Sequence, residues 1–187
     1  MKHFILGVAL LALAACGDNN SSKGDSAVMQ EIQRAEQADA QKAADAQTAT
    51  QHFLDAARAR PGVEARPSGL LIEFTHHSSN HALPHPTADS VVLVHYEGKL
   101  PDGTTFDSSL QRGQPAQFPL NGVVAGFSEA IQLMRPGDEV IAYFPPELGY
   151  GPRGQPPVIP PNSALQFRIQ LLAFQVPGGH LVRAPSH

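Results

Sequence analysis

The chain predicts an α+β fold in which a curved antiparallel β-sheet wraps around one short helix, with a longer α-helix preceding the sheet. Three observations carry this. Leu165, Phe167, Ile169 and Leu171 alternate with Gln166, Arg168 and Gln170, and Val92, Val94 and Tyr96 recur at the same period of two, as strands with one dry face require. Phe127, Ala130, Ile131 and Met134 stand at i, i+3, i+4 and i+7, one face of a two-turn helix that Pro136-Gly137 ends. Residues 28–60 hold neither glycine nor proline, are rich in Ala, Gln, Glu and Asp, and stop at Pro61-Gly62, which reads as a helix body and its stop. A sheet dry on one face and a helix dry on one stripe bury each other.

From the start of the chain, Lys2 and the apolar run Phe4 to Ala15 read as a secretory signal over residues 1–15. The run is shorter than the ~20 residues of a membrane-spanning helix. Cys16, the one cysteine, rules out an intrachain disulfide, and its place after a small-residue cleavage site needs explaining. Leu13-Ala14-Ala15-Cys16 resembles the bacterial lipobox, which implies that Cys16 becomes the lipidated first residue; a chance cysteine after an ordinary cleavage site is the plainer alternative. Several acyl chains anchor a soluble domain firmly where one does not. Gly17, rather than aspartate, after the cysteine implies the outer membrane by analogy with bacterial lipoproteins. Residues 16–27 are polar and read as a flexible tether.

On the helix at 28–60 the apolar positions Val28, Ile32, Ala35, Ala46, Phe53 and Ala57 form one stripe, but most are alanine and bury little area. So weak a stripe leaves three uses open: packing on the following domain, pairing with a second copy, and standing as a solvated spacer. Leu70 to Phe74 reads as a first strand. Residues 76–86 form a loop with four histidines, whose spacing matches no metal site and which lacks a cysteine or carboxylate among them, so a solvated loop is expected and no metal. His95, inside a strand, reads as a packed, hydrogen-bonded histidine. Val91 to Ser109 is a hairpin about Leu100-Pro101-Asp102-Gly103-Thr104, and Gln117 to Leu120 and Glu139 to Phe144 are further strands. Pro145 to Pro161 holds seven prolines and three glycines, a loop preset in shape that cannot join a sheet interior. Residues 175–187 read as a polar, disordered tail.

Within residues 68–174 nine acidic residues face five basic ones, which gives no basic surface for a nucleic acid. Gly126-Phe127-Ser128-Glu129-Ala130 superficially suggests a hydrolase nucleophile elbow, but that motif needs a large parallel sheet which this domain is too small to supply. No phosphate-cradling glycine motif appears, and no cofactor is expected.

VHYEGKLPDGTTFDSS, GFSEAIQLMRPGD and ELGYGPRGQPPVIPPNSALQFRIQLL, in that order over residues 68–174, resemble the signature run of the FKBP family, macrolide-binding immunophilins that act as peptidyl-prolyl cis-trans isomerases. FLDAARARPGVEARPSGLLIEF resembles the entry segment of its macrophage-infectivity-potentiator branch, in which a longer helical segment dimerises. The resemblance implies a pocket lined by Tyr96, Phe106, Val123, Val124, Phe127, Tyr150, Val158, Ile159 and Phe167, with Phe127 as floor and Tyr96, Phe106 and Phe167 as walls. Tyr96, Phe106, Asp107 and Tyr150 would be catalytic. The Tyr150 hydroxyl and the Ile159 backbone N–H would hold substrate carbonyls, and Asp107 would pair with Arg112 and Tyr96, fixing geometry. Implied partners are proline-containing polypeptide clients, macrolide inhibitors, a membrane through the lipid anchor, and a second copy through the helix, on the periplasmic side of the bacterial envelope. Three positions depart from the family pattern: Phe127 where tryptophan is common, Ala116 where many members have an aromatic wall, and Gln155 where some have histidine. Reduced activity and macrolide affinity would follow, and a binding or holdase module without useful catalysis is the rival reading.

Overall fold

The computed structural model describes residues 21–184; the expected signal and the lipidation site at Cys16 lie outside them. The chain divides into two units, with the division between Ala40 and Gln41. Helix α1 runs Ser21–Arg58, so helix begins within the segment expected to be a tether. Extending an existing helix adds one hydrogen bond per residue fixed, and a single glycine, Gly24, subtracts only about 1 kcal/mol from that run. In the first unit residues 27–40 are exposed on every side, including Val28, Met29 and Ile32.

In the second unit eight strands make one antiparallel sheet: β1 Val63–Ala65, β2 Leu71–His76, β3 Val91–Lys99, β4 Thr105–Ser108, β5 Ala116–Pro119, β6 Glu139–Phe144, β7 Leu165–Gln175 and β8 Leu181–Arg183. Their order is β1-β2-β6-β7-β3-β4, with β5 also on β3 and β8 on β7. The short helix α2, Ala125–Gln132, lies against the sheet, and its apolar face meets the inward residues of β3, β6 and β7. Phe127, Ala130, Ile131 and Met134 are at most 3% exposed, as are Val92, Val94, Ile169 and Leu171. Each large aliphatic or aromatic side chain so buried contributes about 1.5–3 kcal/mol, which is what fixes α2 to the sheet.

The opposite face of β2 and β6 is covered by the end of α1. Leu54 and Ala57 pack on Leu71, Tyr143 and Ala164, and the Phe53 and Tyr143 rings meet edge to face at 5.8 Å. Thr50 ties this helix to the loop before β7: its hydroxyl donates to the Asn162 carbonyl at 2.8 Å and accepts the Ala164 N–H at 3.0 Å. Packing therefore reaches back before the expected domain start at Ser68, because the last two turns carry Phe53 and Leu54, which the alanine-rich turns before them lack.

The histidine loop is stapled at its base by the turn after α2. Asp138, 3% exposed, accepts the Ser78 and Arg135 N–H groups, both at 2.6 Å. His85 donates through Nδ1 to the Met134 carbonyl at 3.0 Å, and Arg135 Nε donates to the Leu83 carbonyl at 3.0 Å. Among the described residues no three His, Cys, Asp or Glu side chains come together. His95 sits in β3 with Nδ1 3.1 Å from Ser109 Oγ, a packed and hydrogen-bonded histidine.

Of the tail expected to be disordered, residues 175–184 are ordered, and residues 185–187 lie outside the described residues. Pro177-Gly178-Gly179 is turn chemistry, Gly178 takes a φ of 69°, and the returning strand pairs Phe174 with Val182 and Gln175 with Leu181. Val182 packs on the main core, which offsets the entropy of ordering so short a strand.

Candidate functional site

The hairpin, α2 and the proline-rich loop meet at one cleft of about 270 Å³, lined by Tyr96, Phe106, Asp107, Phe118, Gly122, Val123, Val124, Phe127, Tyr150 and Phe167. Each element delivers its side chain for a local reason. Tyr96 is the last inward side chain on β3 before the inward Gly98, and Phe167 is the inward residue opposite Gly98 on β7. Phe127 sits in the first turn of α2, whose N-cap is Val124, and Gly126 beside it lets the helix approach the Phe144 ring, where a Cβ would stand 2.5 Å from the ring carbon Cγ.

The rings of the aromatic box are mostly buried. Phe127 is 3% exposed and Tyr96 and Phe167 are 5% exposed. Phe127 contacts Phe167 at 5.1 Å, Tyr96 at 5.8 Å and Phe118 at 6.1 Å, each edge to face. Phe106 meets Phe167 at 5.4 Å, and Phe144 stacks behind Phe167 at 5.6 Å with an interplanar angle of 8°. Such edge-on pairs stabilise beyond their buried area and hold the rings at fixed tilts. The floor and the three expected walls are therefore brought together.

At the rim is a charged network. The Tyr96 hydroxyl donates to Asp107 Oδ2, Arg112 Nη1 donates to Asp107 Oδ1, and Arg112 Nη2 donates to the Tyr96 oxygen at 2.9 Å. The Arg112 guanidinium also lies 5.5 Å from the Tyr96 ring centre. Burial pushes the Asp107 carboxyl up, but the bonds from Tyr96 and Arg112 outweigh it and hold the group below the usual carboxylate range. Burial raises the Tyr96 phenol, and so does its bond to Asp107. Burial likewise raises Tyr150, helped by the nearby Asp107 charge. At neutral pH the site thus holds a carboxylate and two protonated phenols. The phenols differ in use: Tyr96 donates to Asp107, whereas among the described residues the Tyr150 hydroxyl has no hydrogen-bond partner.

A second hollow of about 280 Å³ adjoins the first, shares Phe106, Asp107 and Tyr150, and is completed by Gln155, Pro156, Val158 and Ile159. Val158 is 52% exposed and lines this hollow rather than the aromatic box. Ile159 departs from its expected role. Its N–H donates to the Gln155 carbonyl at 2.9 Å, and Gln155 N–H donates back to the Ile159 carbonyl at 2.8 Å. The loop closes on itself there, so that N–H is not free for a substrate. The Val124 N–H, at the start of α2, makes no hydrogen bond among the described residues and belongs to a lining residue.

Phe118, Gly122 and this Val124 N–H are what reading the sequence missed. Phe118 carried a signal, since it stands two residues after Ala116 and so on the same face of β5. It supplies an aromatic wall from the strand on which Ala116 withholds one. The larger groove between β3, β5, β7 and β8, about 490 Å³, is lined by scattered apolar residues with Gln117, Gln175 and Arg183, and no acid faces that arginine from the lining.

The family of FKBP-type peptidyl-prolyl cis-trans isomerases matches residues 84–172. The chain is 43% identical over 123 residues to the peptidyl-prolyl cis-trans isomerase Mip of Coxiella burnetii, covering 66% of this chain and 52% of that one. It is 37% identical over 123 residues to the outer membrane protein MIP of Legionella longbeachae, with the same two coverages of 66% and 52%. The chain spans about half the length of these curated relatives. Among solved structures, FkpA from Escherichia coli superposes with a TM-score of 0.71 at 30% identity, covering 90% of this chain and 75% of that one. With the aromatic box, the hairpin and the short helix in the places that the match spans, the chain belongs to the FKBP-type peptidyl-prolyl cis-trans isomerase family, in its Mip-like branch.

Proposed function

We propose that the protein catalyses cis-trans isomerisation of X-Pro bonds in polypeptides. The observation that carries this is an apolar aromatic cleft lined by Tyr150 and Val124, whose hydroxyl and N–H have no hydrogen-bond partner among the described residues. Rotation about the amide faces a barrier of about 18–20 kcal/mol and takes tens of seconds or more unaided. No bond breaks, so no nucleophile is needed. Water hydrates the planar, conjugated amide better than the twisted one. Moving the proline into a box floored by Phe127 and walled by Tyr96, Phe106 and Phe167 removes that preference.

Each 1.36 kcal/mol by which the cleft favours the twisted amide speeds rotation about tenfold. Tyr150 and Val124 would hold substrate carbonyls on either side of the rotating bond, so that one half of the peptide turns against a fixed other half. Asp107, pinned by Arg112, orients Tyr96 and keeps the wall in place rather than moving a proton. Val123 and Phe118 complete the apolar rim, and Val158 and Ile159 shape the adjoining hollow.

The relative named outer membrane protein MIP supports a place in the bacterial envelope for this chain. There it would assist folding of envelope or secreted clients, anchored through Cys16 and pairing with a second copy through α1, and its cleft would take macrolide inhibitors weakly because Phe127 is a small floor. A protease-coupled assay on a Phe-Pro peptide tests the central reading. Acceleration that scales with protein concentration supports it, and an uncatalysed rate at micromolar protein sinks it in favour of a binding or holdase module.

A further inference from the structure

Neighbouring residues of a regular strand point to opposite faces, yet Phe106 and Asp107 both line the cleft. A bulge makes the exception. Gly98 stands opposite Asp107 and Lys99 opposite Thr105, which leaves Phe106 as the extra residue on β4. A bulge re-aims a side chain, and the re-aimed ring needs somewhere to lie. It lies over the backbone of Gly98. A Cβ on Gly98 would sit 2.6 Å and 2.8 Å from Cζ and Cε2 of Phe106, and 2.9 Å from Cε1 of Phe167. The backbone itself does not call for glycine, since Gly98 is not among the residues with positive φ. A glycine inside a central strand weakens that strand, so close approach is the remaining reason for it.

We propose that Gly98 is a positioning residue for the isomerase site: its missing side chain is the seat of the Phe106 ring, and it sets the edge-to-face Phe106–Phe167 pair that forms one wall. The inference rests on the isomerase reading of the cleft. Of the two rings a new Cβ would strike, Phe167 is 5% exposed and locked among Tyr96, Phe127 and Phe144, whereas Phe106 is only half-buried and has solvent to move into. Gly98→Ala therefore evicts Phe106. Asp107 stays where Tyr96 and Arg112 hold it, so the loss falls on the wall and not on the charged network.

The test uses the full chain with Gly98→Ala, Phe106→Ala and the double variant, each measured by the protease-coupled assay and by urea unfolding. Gly98→Ala is expected to lower kcat/KM about tenfold, and Phe106→Ala to do likewise. The double variant is expected to be no worse than Phe106→Ala alone, because the ring to be evicted is already gone and Phe167, approached at 2.9 Å, can give by a few tenths of an ångström into the space it leaves. Wild-type kcat/KM in Gly98→Ala, or two losses that multiply, overturns the proposal. Should Gly98→Ala fail to fold, a folded double variant still assigns the clash to Phe106, and an unfolded one overturns it. An inactive wild type sinks the isomerase reading separately. The unfolding cycle then decides the seat: a smaller destabilisation by Gly98→Ala in the Phe106→Ala background supports it, and an equal one refutes it.

Discussion

Tyr150→Phe isolates one hydroxyl from everything around it. The phenylalanine ring keeps the shape of the cleft, and among the described residues the Tyr150 oxygen has no protein partner to lose. Removing it therefore costs the fold nothing that the structure identifies, and a change that leaves no partner unpaired and no volume missing stays within about 0.5 kcal/mol. Its proposed use is one neutral hydrogen bond to a substrate carbonyl, with a net value of about 0.5–1.5 kcal/mol. At 1.36 kcal/mol per decade that is a fall in kcat/KM of about two- to thirteenfold. Because the bond is made to ground state and twisted state alike only if the carbonyl does not move, the split between KM and kcat shows how far that oxygen travels during rotation. The assay is protease-coupled isomerisation of a Phe-Pro peptide, run beside urea unfolding of the same preparation. Unchanged kcat/KM with an unchanged unfolding midpoint would remove Tyr150 from the reaction, and a midpoint that drops in step with the rate would make its hydroxyl structural.

Three further outcomes follow from the geometry. Asp107→Leu frees the Tyr96 hydroxyl and leaves Arg112 without its carboxylate, so kcat/KM should fall about tenfold while the unfolding midpoint barely moves, since the Arg112 and Asp107 side chains are 44% and 42% exposed and such pairs are screened by water; a wild-type rate would refute the orienting role. The pH profile of kcat/KM should be flat from about pH 5 to about pH 9, because Asp107 titrates below its ordinary value of about 3.9, Tyr150 and Tyr96 titrate above about 10, and no histidine lines the cleft. The stability due to the lowered Asp107 is present above its unfolded-state value and is lost as pH falls through the folded-state one, so acid should loosen the rim without a limb near pH 6.5. Asp138→Ala strips the acceptor from two backbone N–H groups, Ser78 and Arg135, one of them buried, and should lower unfolding free energy by about 2–4 kcal/mol with an unchanged urea m-value; a shift under about 0.5 kcal/mol would mean that water replaces the carboxylate.

The strands and α2 were legible because their periodicity is set by burial on one face, and burial is what both the pattern and the fold respond to. Leu165 to Leu171 alternates in the sequence and alternates between core and solvent in β7. Where burial is a matter of a few residues, the pattern fails. In α1 the alanine-rich stripe says nothing of where packing begins, and it is Leu54 and Ala57 on Tyr143 that bring the last turns into the second unit. Likewise β8 is three residues long, too short for any period, and it exists because Pro177-Gly178-Gly179 turns the chain back onto an edge of β7 that already had unpaired backbone groups.

The site divides in the same way. The side chains that make it greasy were legible one by one, since aromatic residues in strands and on the helix face must collect somewhere. Backbone donors were not, because a side-chain pattern carries no record of which N–H is already spent. The Ile159 N–H is spent on Gln155, within a loop that closes on its own carbonyls, whereas the Val124 N–H opens a helix and so belongs to the turn whose donors have no intrahelical partner. A helix start offers free donors by its geometry, whatever residue stands there. The donor proposed to hold the substrate therefore follows from where α2 begins, and moving that start by one residue is expected to cost more activity than changing the Val124 side chain.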